Sequence, residues 1–189
     1  MTNEELIWTY LNIRLKNPFG TAALMGNLFA ESSLNPILAN NIKKYGMTNE
    51  TYTAAVDEHK NKNFITDGIA YGLVQWCYHT RKQGLLEKAI AANVSVGDIN
   101  LQLDYLWEEL QKYKTVLSTL YDAKDIRTAS DVVLTKYEKP ANQSEAVKVK
   151  RASFGQKYYD KYAITNNIQI KVKRTAANEL KERLGKKLR

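Results

Sequence analysis

Cysteine is almost absent from this chain. Its 189 residues contain one, Cys77. A lone cysteine excludes an intrachain disulfide framework, so packing must hold the fold, as suits synthesis in a reducing cytoplasm. Histidine is nearly as scarce. His59 and His79 have no obvious third partner, and Cys77 with His79 makes a poor metal site. Neither a metal nor another cofactor is expected. No run of about 18 apolar residues exists, so no transmembrane helix is expected. The N-terminus, Met1-Thr2-Asn3-Glu4-Glu5, is acidic and lacks a signal-peptide pattern.

What the chain does contain suits a folded domain. Apolar residues make up 44% and charged residues 25%, which excludes a disordered chain. Tyrosine is abundant, at 12 residues. Its flat ring and polar edge suit sugars, although core packing is its commoner role. The net charge is +8, but residues 169–189 carry +6 of it and leave only +2 for residues 1–168. The body is nearly balanced. That argues against nucleic acid as a partner, which would need bases organised on the folded body.

Periodicity predicts a mainly α domain over residues 1–165, followed by a basic extension over 166–189. A first helix covers 3–16, with Leu6, Ile7, Tyr10, Leu11 and Leu15 as its apolar stripe. A second begins near residue 20. Others are expected from Thr48 to His59, Tyr78 to Ala92, Asp98 to Tyr113, 115–122, Asp125 to Glu138 and 142–163. Asp104, Glu108 and Glu109 read as a solvated face, and Trp76 as core. Strand-like alternation is weak and confined to 168–172.

The second helix carries the most informative residue. Leu24, Leu28 and Glu31 fall at i, i+4 and i+7 and share one face, so Glu31 points inward. Pro36 ends the helix shortly after it. Burial by the leucines and the negative helix end both disfavour a carboxylate there. A carboxyl that keeps its proton near neutral pH can serve as a general acid. The same position also suits an ordinary polar helix end.

The surrounding motifs narrow the choice. Glu31-Ser32, with Asn35-Pro36 and the later Gly72-Leu73-Val74-Gln75, resembles the goose-type lysozyme and lytic transglycosylase superfamily. Five stretches together resemble the phage tail lysozyme family more closely. These are Leu24 to Ser32, Gly46-Met47-Thr48, Tyr71 to Trp76, Arg81-Lys82-Gln83-Gly84, and Lys136-Tyr137-Glu138-Lys139-Pro140-Ala141. The resemblance covers about residues 4–163. It implies a lysozyme-like fold and cleavage of the β-1,4 glycan of bacterial peptidoglycan, between MurNAc and GlcNAc. A monomer is expected, made in a host cytoplasm and reaching the wall after release, or carried on a virion tail.

Glu31 matches the family's catalytic acid. The oxocarbenium-like transition state calls for a second group. Asp67, five residues before Gly72, is the first candidate, Glu138 the rival and Asp57 a third. Each has a structural alternative, such as a turn cap at Asp67 or an ion pair at Glu138. Gln75 can hydrogen-bond N-acetyl groups, Tyr71 offers a ring face, and Ser32 and Tyr137 join the expected substrate contacts. Ser32 and Asn35 are also expected to fix the Glu31 turn through backbone bonds. Hydrolysis and anhydro-forming transglycosylation both remain open. The missing downstream Ala-Tyr-Asn element favours a muramidase, and a non-catalytic wall-binding module is the alternative of a different class. In the tail, Ala176, Ala177, Leu180, Leu184 and Leu188 share one helical side. That pattern suits an anionic wall polymer or a membrane surface, and equally a plain basic extension.

Overall fold

A computed structural model describes residues 1–164. The expectations placed on the basic tail and on 168–172 lie outside these residues. Eight α-helices occur among them: α1 (Asn3–Leu15), α2 (Pro18–Ser32), α3 (Asn49–Asp57), α4 (His79–Ala92), α5 (Ile99–Lys112), α6 (Lys114–Asp122), α7 (Ile126–Val132) and α8 (Glu145–Tyr158). Two π-helical turns, Val133–Glu138 and Tyr159–Ile164, extend α7 and α8. No strand forms among the described residues, only isolated bridges from Tyr71 to Ala39 and to Trp76. The mainly α domain is the one the periodicity predicts.

Local chemistry sets the helix starts. Thr2 and Glu5 form a reciprocal capping box on α1. Asn17 Oδ1 accepts from the amides of Phe19 and Gly20, with Pro18 in the first turn of α2. Thr48, Asp98 and Asp125 cap α3, α5 and α7 in the same way. Helix α2 stops where Ser33 turns left-handed at φ 52°, its amide donating to Phe29 O.

Helix α2 is the axis of the domain. Every residue from Gly20 to Leu28 is buried, because α1, α6, α7 and α8 surround it. Its closest neighbour is α8. A Cβ placed on Gly26 would lie 2.5 Å from Gly155 N, and one on Gly155 would lie 2.8 Å from Ala22 O. The two helices therefore touch backbone to backbone. Aromatic pairs seal the same side: Phe29 against Phe154 and Tyr158, Phe19 on Tyr159, and Trp8 on Tyr162. Gly155→Val should force α8 away and cost at least about 1–3 kcal/mol, the usual penalty of overpacking. Urea unfolding measures it.

A small hairpin lies at the end of α2. Tyr71 and Trp76 exchange backbone bonds of 3.0 and 2.9 Å, closing the turn Gly72-Leu73-Val74-Gln75. Gly72 has φ 77°, and a Cβ there would meet Gln102 Oε1 at 2.6 Å. Glycine is required on both counts. The buried Gln102 accepts from Leu73 N and donates to Pro36 O and Val96 O. Ser32 Oγ donates to Leu73 O at 2.9 Å and so ties the hairpin to α2.

Candidate active site

Glu31 sits on the last turn of α2, half-buried, with 19% of its side chain exposed. Arg151 of α8 reaches it from the protein side. Arg151 Nη2 donates to Glu31 Oε1 at 2.5 Å, and Nη1 donates to Asn27 Oδ1 at 3.2 Å. Asn27 is one turn before Glu31 and fully buried. Its amide nitrogen donates to Ala23 O and to Ser130 O and Oγ of α7. Three helices thus fix one carboxyl. The inward-facing Glu31 expected from the helix face is half-buried and ion-paired to Arg151.

Glu138 is the second carboxyl of this region. It ends the π-turn after α7, just before Lys139 turns left-handed at φ 49°. Single π-turns recur at functional sites, because they re-aim the residues that follow. Its Oε1 is buried and has no hydrogen-bond partner among the described residues. Burial first, and then the nearby Glu31 charge, push the Glu138 carboxyl up to about 8, against the opposing pull of Arg81 and Arg151. It therefore holds a proton at neutral pH. Among the described residues Glu138 forms no ion pair.

Behind Glu138 lies a saturated polar network. Glu109 of α5 is buried and accepts from Trp76 Nε1, Arg81 Nε and Nη2, and Tyr137 Oη, at 2.7–2.8 Å. Its place on a solvated face is therefore corrected: α5 turns Glu109 inward, where four donors satisfy it. Tyr137 is also corrected. Its hydroxyl bonds Glu109 and Arg81, and burial, followed by the Glu109 charge, holds the phenol well above its usual value. It is not placed to touch substrate.

Asp67 belongs to a different cluster. It accepts from Tyr52 Oη at 2.5 Å, from Ile69 N at 2.9 Å and from Lys82 Nζ at 2.6 Å. The Lys82 ammonium is fully buried. Burial pulls its proton affinity down, and Asp67 opposes this. Asp67 is thus occupied in neutralising a buried lysine, and among the described residues it makes no contact with Glu31. Asp67→Ala should cost about 3–5 kcal/mol by stranding Lys82, yet leave wall lysis per folded molecule nearly unchanged. Thermal unfolding alongside a lysis assay separates the two.

The other expected contacts divide. Tyr71 is fully buried, its hydroxyl 2.7 Å from Thr53 Oγ1, so it offers no ring face to a sugar. Ser32 is buried and spends its hydroxyl on Leu28 O and Leu73 O, fixing the Glu31 turn as its backbone-bonding role expects. Gln75 remains half-buried at φ 53°, its amide nitrogen donating to Leu38 O and Gly72 O. Its Oε1 has no partner among the described residues. Asp57 caps a loop through Ser95 Oγ and Val96 N. Trp76 is core, as read.

Sequence reading missed Arg151 and Asn27. Asn27 carried a usable signal, since it lies four residues before Glu31 on the same buried face. Arg151 carried none, being one of several bases on α8.

A helical domain with a half-buried carboxyl at the end of its central helix, and a second near enough to feel its charge, has the ingredients of a lysozyme-like protein. No curated protein matches the chain. The family model described as phage tail lysozyme matches residues 2–162, and the chain belongs to that family. Membership brings with it a lysozyme-like, peptidoglycan-degrading activity.

Proposed function

We propose that this protein is a muramidase, hydrolysing the β-1,4 bond between MurNAc and GlcNAc, with Glu31 as general acid and Glu138 as its partner carboxyl. The observation that carries this reading is Glu31 held half-buried by Arg151 at the end of α2, with the buried, unpartnered Oε1 of Glu138 near enough to feel its charge. At neutral pH Glu138 holds a proton, and Glu31 faces the Arg151 cation. Glycoside cleavage uses one carboxyl as acid and one as anion. The proton goes to the glycosidic oxygen as the C–O bond breaks, and the charge faces the oxocarbenium-like sugar until water adds. In the free protein Glu138 is protonated. In the reacting form the acid is Glu31, whose side chain is partly exposed to solvent.

Mass spectrometry of digested, purified walls tests the reaction. Reducing-end MurNAc is expected. Reducing-end GlcNAc would make the enzyme a glucosaminidase, and 1,6-anhydro-MurNAc would make it a transglycosylase using Glu31 alone. Wall binding with no new sugar ends would leave a binding module.

A further inference from the structure

Arg151 is more deeply placed than the carboxyl it holds: 9% of its side chain is exposed, against 19% for Glu31. Its guanidinium is a fork with fixed geometry, so two acceptors at once define its direction. One prong takes Asn27 Oδ1 and the other Glu31 Oε1. Asn27 cannot swing aside, because Ala23 O and Ser130 hold its other end. The glycine contact between α2 and α8 sets the spacing of the helices that carry the fork. Glu31 Oε2 is left without a partner among the described residues.

The charges facing Glu138 come from four helices. They are Glu31 of α2, Arg81 of α4, Glu109 of α5 and Arg151 of α8. Arg81 and Glu109 are committed to each other. Arg151 is the cation bonded to Glu31, and among the described residues neither cation hydrogen-bonds Glu138. The arrangement therefore distinguishes the two carboxyls.

We propose that Arg151 is a positioning residue for the glycan-cleaving reaction, aiming Glu31 through the Asn27 fork and keeping the pair's negative charge on Glu31 until glycan enters. This rests on the reading of Glu31 and Glu138 as the working pair. When glycan draws Glu31 out of the fork, the cation that favours its anion is lost. Glu31 then takes a proton from solvent water while Glu138 gives one up to it, so protons and charge balance without a direct bond between the two carboxyls.

The test is the pH dependence of wall lysis in Arg151→Gln and Arg151→Lys, with rates taken per folded molecule from thermal unfolding. Arg151→Gln removes the cation and the fork. Its alkaline limb should move up by about one pH unit or more, with a maximal rate about tenfold lower from lost aim. Arg151→Lys keeps the charge but serves only one of the two acceptors. Its limb should stay in place and its kcat fall about tenfold at unchanged KM. An unshifted limb in Arg151→Gln overturns the proposal, and so does a wild-type kcat in Arg151→Lys. If Arg151→Gln does not fold, the lysine variant decides alone. Glu31→Gln run in parallel separates two kinds of failure. An active Glu31→Gln removes the underlying reading, whereas an inactive one beside normal Arg151 variants removes only this inference.

Discussion

Glu31→Gln is expected to lower wall lysis about a hundredfold to ten-thousandfold, the usual contribution of a positioned acid. Glutamine keeps the size of the side chain and an oxygen for Arg151, but it has no proton of suitable acidity to give. The helical signal should stay unchanged, because the packing around α2 is built by Gly20 to Leu28 and not by Glu31. KM should change little, since the lost interaction belongs to the transition state. Measured release of reducing sugars from purified walls decides it. Retention of more than about a tenth of the activity would exclude an acid role of ordinary size.

Glu138→Gln should alter stability in a pH-dependent way. The folded protein keeps the Glu138 proton up to about 8, whereas the ordinary value for such a carboxyl is 4.5. Between those values unfolding releases a proton, so rising pH favours the unfolded chain. The contribution of the protonated carboxyl is complete below about 4.5 and is lost as pH passes through about 8. The slope is about 1.4 kcal/mol per pH unit across the window. Glutamine cannot ionise, so the variant should match the wild type near the acid end and exceed it by several kcal/mol, of order 1.4 per unit, near pH 8. Urea unfolding at several pH values reads the difference directly. Equal slopes would mean that Glu138 is solvated. Lysis should also fall in this variant, because the pair loses its second ionisable member.

Much of the fold was legible because helix starts are written locally. Thr2, Asn17, Thr48, Asp98 and Asp125 each announce a cap within three residues of the amide they serve. The inward face of Glu31 was legible for the same reason. What could not be read depends on distant partners. Glu109 looks like any helix-surface acid until Trp76, Arg81 and Tyr137 close on it. Tyr71 carries the composition of a sugar platform, but its burial is decided by Phe64 and Tyr52 from other segments. Asp67 has the spacing from Gly72 that a second carboxylate would have, but Lys82 claims it. Ion pairs leave no periodicity, so the assignment of acids to bases waits for the tertiary structure.

The contact between α2 and α8 has a temporal consequence. Glu31 leaves the ribosome early, but its clamp follows 120 residues later. An emerging chain has the acid long before it has Arg151 or the glycine of α8 that seats it. Contacts so distant in sequence form late. A nascent or prematurely ended polypeptide therefore lacks the Arg151 contact to Glu31 until translation has passed α8.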